Sequence, residues 1–308
     1  LEIEEGSTDP MGIHKRLWLA FAAMVAIYAI TRADEKVLYD KESRYNTIVV
    51  TEDAAGLRTL WFRRGGARQS AVKLGDPDHL EFAYSRVMPV GLAFVETPRR
   101  VLMVGLGGGT IPMFLHKHYP KTVIDAVDID PDVIDVAKRF FGFREDATLR
   151  AYAEDGRRFI EARPNHYDII FLDAFGPDSI PYHLATREFL QAVRRALAPG
   201  GIAVGNIWDR DSNDLYDSML RTYRDVFEEL YVFDVRHSGN KILVALPRKE
   251  RIEMDDLARR ARQIARQKGF RFDLGKAVVY GYRRVTDEPL AGRVLRDDGP
   301  EDHDGATR

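Results

Sequence analysis

No cysteine occurs anywhere in this 308-residue chain. That excludes disulfides, thiolate zinc sites, iron–sulfur clusters, a cysteine nucleophile and acylation on cysteine. An excess of either charge is missing too: 46 Lys and Arg against 48 Asp and Glu leave a net charge of -2. Without a broad basic field there is nothing to gather phosphate backbones, so no nucleic acid is expected as a partner. The eight histidines are scattered, and His116 and His118 sit two apart on a predicted helix, where their side chains diverge. No metal site is expected. What is present is ordinary globular composition, 45% hydrophobic and 31% charged, which excludes a wholly disordered or collagen-like chain.

Residues 1–10 are polar and acidic and are set aside as an upstream remnant. From Met11 a basic stretch (His14, Lys15, Arg16) leads into the uncharged run 17–30. Residues 11–33 thus have the shape of a signal peptide or short membrane anchor, the run being shorter than the ~17 to 25 apolar residues of a stable span. The expected location is exported (periplasmic) or attached to the inner membrane, and cytoplasmic if the run is instead a buried core helix. Residues 34–97 read as a small β-rich unit. Runs 46–51 and 57–62 are β-branched and aromatic, separated by the hairpin signal DAAG, and a helix is predicted over 80–94. Residues 98–285 alternate apolar runs with amphipathic helices, which predicts a parallel α/β sheet. The polar segment 286–308 is predicted to be disordered. The arginine-rich stretch 259–271 reads as a solvated helix face, acidic residues preceding it.

The predicted strand 101–104 runs into Gly105-Leu106-Gly107-Gly108-Gly109-Thr110 ahead of a helix. Glycines at a strand-to-helix turn let a ligand approach the main chain and the helix N-terminus. The nicotinamide pattern G-x-G-x-x-G would need glycine where Thr110 stands, whereas Gly105, Gly107 and Gly109 satisfy G-x-G-x-G, which tilts the reading towards an adenosyl sulfonium ligand. A second strand, 122–127, ends at Asp128, about 20 residues on, where a ribose diol is usually gripped. Capping of the helix begun by Pro131 is the alternative, and it suits Asp130 better. Asp155-Gly156 follows a third strand, and Asp173 closes a fourth, 167–172. Gly, Asp, Asp and Asp at four successive strand ends form one constellation, because ligands in open parallel sheets bind outside the carboxyl ends of strands. Strand 202–206 follows the turn 199–201, and strands 230–235 and 241–246 are joined too closely for a parallel crossover. A seven-stranded sheet with one reversed strand results, a Rossmann-like class I S-adenosylmethionine-dependent methyltransferase-type fold preceded by a small N-terminal β-rich domain.

With these motifs the chain resembles the spermidine/spermine synthase family, the polyamine aminopropyltransferases, and in particular its spermidine-synthase-like branch. The resemblance covers about residues 37–246 and includes Gln69-Ser70, Tyr84, the glycine turn, Asp128, Asp155-Gly156 and YDIIFLDAFGPDSIPYHLATREF over 167–189. It implies transfer of an aminopropyl group from decarboxylated S-adenosylmethionine to a small-molecule amine, by a homodimer or higher homo-oligomer. Asp128 would hold the ribose, Asp155 the adenine amino group and Asp173 the attacking amine, with Gln69 and Tyr84 lining the substrate side. Two departures concern cationic groups. The turn GLGGGT lacks the family's usual aspartate, and the motif D-x-x-D-P appears as Asp173-Ala-Phe-Gly176-Pro177.

An alkylamine with a pKa of ~10.4 needs roughly 4 to 5 kcal/mol to free its lone pair at neutral pH, so a base is required. Asp173 is the candidate, with Tyr182, His183 or Asp178 as helpers on the following loop, for which loop packing is the competing account. Two other functions stay open. One is methyl transfer from ordinary S-adenosylmethionine, whose carboxylate the missing aspartate would have repelled. The other is a non-catalytic nucleoside-binding module.

Overall fold

The computed structural model describes residues 35–95, 97–176, 179–285 and 289–299. The expected remnant and the signal or anchor segment lie outside these residues, as does Asp178. No helix among the described residues is long and apolar enough to cross a membrane.

Strands β1 (Lys36–Glu42), β2 (Thr47–Glu52), β3 (Leu57–Trp61) and β4 (Arg68–Lys73) form an antiparallel meander in chain order. The β2–β3 turn closes as the DAAG signal predicts: the Asp53 carboxylate accepts the backbone N–H groups of Ala55 and Leu57, each at 2.9 Å. Alternation along the strands puts Ile48, Val50, Leu60 and Val72 on one face, buried with Phe62. Their cover comes from further along the chain, Val133 and Val136 of the helix Pro131–Phe140 and the following Phe141.

The predicted helix 80–94 is shorter and changes type. A single α-helical stretch, α1 (Ala83–Val87), passes into a 3₁₀ segment, Met88–Ala93. Pro89 lacks the N–H that an α-helix would need there.

The central sheet is built from β5 (Arg100–Val104), β6 (Val123–Asp128), β7 (Leu149–Ala153), β8 (Tyr167–Leu172), β9 (Leu197–Trp208), β10 (Glu229–Asp234), β11 (Asn240–Leu246) and β12 (Tyr282–Arg284). Their spatial order is β12-β10-β11-β9-β8-β5-β6-β7. β7, β6, β5, β8 and β9 are mutually parallel and β11 runs against β9 and β10, so the seven strands with one reversal are present. An eighth, β12, extends the sheet antiparallel to β10. Strand β9 differs from expectation by running straight through Pro199-Gly200-Gly201. Gly200, at φ +84°, lets the extra residues bulge while β8 pairing continues from Tyr167–Leu197 to Ile169–Ile202.

Helices α2 (Thr110–His118), α3 (Pro131–Phe140), α4 (Gly156–Glu161), α5 (Arg187–Ala196), α6 (Tyr216–Val226), α7 (Met254–Lys268) and α8 (Leu274–Gly281) complete the fold. Alternate residues of each strand enter opposite cores. Val101, Met103, Ile169 and Phe171 pack with α2, α7 and α8, while Leu102, Val104, Ile170 and Leu172 pack with α4, α5 and α6. The exposed side of α7 carries the arginines, and Leu257, Ala258, Ala261 and Ala265 form its buried stripe.

The disorder predicted for 286–308 does not hold over 289–299. Leu295 is fully buried, its backbone N–H donates to Thr222 Oγ1 at 2.9 Å and its carbonyl accepts from Arg187 N–H at 2.8 Å. Asp297 receives both terminal nitrogens of Arg157 at 2.8 and 2.7 Å. Composition alone conceals one apolar anchor within a polar segment. Leu295→Ala is expected to destabilise the protein by about 2 to 4 kcal/mol, read as a lowered denaturation midpoint. An unchanged midpoint would show the segment to be passive.

Candidate functional site

Parallel pairing brings the carboxyl ends of β5, β6, β7, β8 and β9 to one edge of the sheet. Because β11 is reversed, its first residue, Asn240, pairs with Trp208 and joins the same edge. A cavity of about 780 Å³ opens there, floored by these strand ends and walled by β4 and α1 of the N-terminal unit.

Gly105 leaves β5 at φ +90°, its N–H donating to Val127 O at 2.9 Å; a Cβ at this position would lie 2.4 Å from the carbonyl oxygen of Asp173. Gly109, also left-handed at φ +74°, is the N-cap of α2; it does not line the cavity but shapes the turn, a Cβ there meeting the Phe143 ring at 2.6 Å. Thr110 Oγ1 meets Ser70 Oγ at 2.9 Å, tying the glycine turn to β4 and bringing Gln69 to the cavity wall. Gly107 and Gly156 line the same space.

Asp128 lines the cavity but is also a brace. Its carboxylate accepts the N–H groups of Leu106 at 2.9 Å and Asp130 at 3.0 Å, and that of Gly107, so it sets the shape of the glycine turn. Burial nonetheless raises its pKa from the ordinary aspartate value, the backbone donors opposing the shift. Asp130 takes the capping role, accepting from Asp132 N–H at 3.0 Å ahead of Pro131. Asp155 combines both readings: it caps α4 through Arg158 N–H at 3.0 Å and still faces the cavity, its other oxygen 3.3 Å from His183 Nε2. His183 therefore has a partner within the site.

Asp173 sits at the end of β8, recessed in the floor. Asn206 Nδ2 donates to its Oδ1 at 2.8 Å and the Tyr84 hydroxyl donates to the same carboxylate. Burial pushes Asp173 up to about 7, the two donors opposing the shift, and drives the Tyr84 phenol well above its usual range. Its surroundings make Asp173 a group that takes and releases a proton near neutrality.

Tyr182, like Gly109, is a sequence candidate that does not line the cavity. It lies in a 3₁₀ turn, Tyr182–Leu184, with its hydroxyl donating to Arg296 O at 3.1 Å, away from the cavity. The docked segment 289–299 supplies that partner, so loop packing accounts for the residue. Three contributors escape the sequence reading. Asn206 and Trp208 end β9, and Trp208 stacks on Phe175 at 5.4 Å between ring centroids; Asn240 begins β11. The strand-end rule already applied to Asp128 and Asp173 would have found Asn206. Gly176 lines the cavity and offers no carboxylate. Among the described residues, no group of three or more His, Asp or Glu side chains could hold a metal ion.

A spermine/spermidine synthase domain matches residues 81–244. A polyamine aminopropyltransferase of Vibrio vulnificus (strain CMCP6) is 36% identical over 217 residues, covering 68% of this chain and 72% of that protein. A spermidine synthase solved with the transition-state analogue AdoDATO superposes with a TM-score of 0.65 at 22% identity, over 80% of this chain and 84% of the other, a likeness of fold. Human methyltransferase-like protein 13, solved with SAH, gives a TM-score of 0.55 at 33% identity, over 61% of this chain and 92% of the other. The fold is the class I methyltransferase-like fold that these structures share.

Proposed function

The chain belongs to the spermine/spermidine synthase family, and we propose on that footing that its cavity transfers an aminopropyl group from decarboxylated S-adenosylmethionine to an amine. The observation that carries the reading is Asp173, a recessed carboxyl group poised near neutral pH at the end of a central strand, beside the glycine turn.

The glycine turn, lining the cavity with Gly105 and Gly107 and braced by Asp128, holds the donor nucleoside, with Asp155, Gly156 and His183 on the base side. Gln69 and Tyr84 line the acceptor side. The acceptor's nitrogen lone pair attacks the methylene bound to sulfur, a C–N bond forms as the C–S bond breaks, and the sulfur leaves with the bonding pair as a neutral thioether. A proton must leave the nitrogen, and Asp173 takes it. The thioether needs no acid, so alignment and this proton transfer are what the chain supplies. Self-association, and attachment or export through residues 17–30, belong to the same proposal.

One observation favours methyl transfer as the second reading: the glycine turn carries no carboxylate to meet the free amine of a decarboxylated donor, and none to repel the carboxylate of the intact one. Calorimetric titration with both donors separates the two. Tighter binding of the decarboxylated donor, with thioether release on adding amines, is the expected outcome. Preference for the intact donor would move the protein to the methyl-transfer reading, and binding of neither would end both.

A further inference from the structure

Behind Asp173 runs a chain of side chains that the proton transfer does not itself use. Asn206, 2% exposed, donates through Nδ2 to Asp173 Oδ1 at 2.8 Å. Its own Oδ1 accepts from Asn240 Nδ2 at 2.9 Å, and Asn240 Oδ1 accepts from Ser238 Oγ at 2.6 Å. The residues are neighbours because β9 and β11 are antiparallel partners: Asn240 is opposite Trp208 and Ile242 opposite Asn206, so the two asparagines share a sheet face along a diagonal. Every hydrogen bond in this chain points the same way, towards the carboxylate.

Direction matters because an asparagine amide is nearly symmetric in shape and opposite in chemistry at its two ends. With its NH₂ towards Asp173, Asn206 favours the ionised carboxylate. Flipped, its carbonyl would favour the protonated acid. The Asn240 NH₂, which needs a carbonyl oxygen to accept from it, selects the first orientation, and the Ser238 hydroxyl fixes Asn240 in turn.

We propose that Asn240 and Ser238 are positioning residues for Asp173, setting the orientation of the Asn206 amide so that the base is held ready to accept a proton. The inference rests on Asp173 being the base. Of the charged groups that open on the same cavity, Asp128 and Asp155 with His183 are occupied by the bonds already described. Glu81 is held by His79 at 3.0 Å and Arg68 at 3.7 Å, and Arg86 donates to Leu80 O. Arg236 and His237 lie on the turn before Ser238, and both are exposed. Besides burial, the groups that shift Asp173 are Asn206 and Tyr84.

Asn240→Asp tests this with almost no change of shape. A carboxylate at 240 only accepts, so it draws the Asn206 NH₂ to itself and turns the carbonyl on Asp173. The acid limb of the kcat/KM profile is expected to move up by about one pH unit, roughly a tenfold loss on the acid side that raising the pH largely restores. Ser238→Ala, which frees Asn240 without adding charge, should move it less and in the same direction. Thermal denaturation of both variants checks that they fold. Loss at every pH with an unmoved limb would overturn the inference. Infrared titration of the Asp173 carboxyl, as the difference from Asp173→Asn, gives the same answer without turnover. If no amine is consumed the proposed reaction fails, while an unshifted carboxyl band would sink the positioning role by itself.

Discussion

Replacing Asp173 by Asn lowers the rate of amine alkylation by on the order of 10³-fold and leaves the affinity for the nucleoside donor within about threefold. The size follows from the chemistry: an alkylamine keeps its proton at neutral pH by some three units, and a positioned base contributes ~10² to 10⁴. The donor is spared because the glycine turn is braced by Asp128, and Asp173 meets that turn through its backbone, accepting nothing from it through the side chain. A second consequence has the opposite sign. The folded state raises the Asp173 pKa from 3.8 to about 7, so it holds the proton more tightly than the unfolded chain does. Stability therefore falls as pH rises from about 4 to about 7, and above that the full penalty persists. The Asp173→Asn variant carries no such penalty, and roughly 2 to 4 kcal/mol of added stability is expected at pH 8 and almost none at pH 3. Denaturation midpoints at the two pH values, with donor calorimetry and single-turnover rates, check all three effects. Donor affinity that collapses with the rate would assign Asp173 to donor binding.

Gly105→Ala destabilises the protein by about 3 to 5 kcal/mol and abolishes donor binding in whatever folds. Two penalties add: a non-glycine residue is strained at φ +90°, and the new Cβ would sit 2.4 Å from the Asp173 carbonyl, an atom of the central sheet's own chain. Relief requires separating the end of β5 from the end of β8, which displaces the glycine turn and the base together. Gly56→Ala is the matched control. At φ +77° it is strained in the same sense, but nothing lies within 4 Å of its Cβ, so about 1 kcal/mol is expected. Urea titration of the pair compares the close approach with the backbone conformation alone. Equal losses would mean that contact with Asp173 contributes nothing.

The strands and the carboxylates were legible in the sequence for a common reason. Buried parallel strands are continuous apolar runs, and charged residues that close such runs stand out from them. Asn206 and Asn240 carry no such mark. A neutral amide interrupts neither hydrophobic pattern nor charge, and the partners of Asn206 come from β8 and β11, which only strand pairing brings together. Asp155 shows a different limit, since a helix cap and a cavity wall call for the same residue at the same place and the structure has it serve as both. Tyr182 was drawn towards the site by its neighbours in the motif, while its true partner, Arg296, lies 114 residues away in a segment whose composition predicts disorder.

The four-stranded meander also bears on the order of events during synthesis. Its last strand ends at Lys73, yet the residues that cover its apolar face, Val133, Val136 and Phe141, are made 60 to 68 residues later. At ~5 to 20 residues per second that is roughly 3 to 14 seconds in which Ile48, Val50, Leu60 and Val72 have no partner surface. The N-terminal unit therefore cannot finish folding as it emerges from the ribosome. It waits for β5, the glycine turn and α3, so the wall of the cavity closes only after its floor has begun to form.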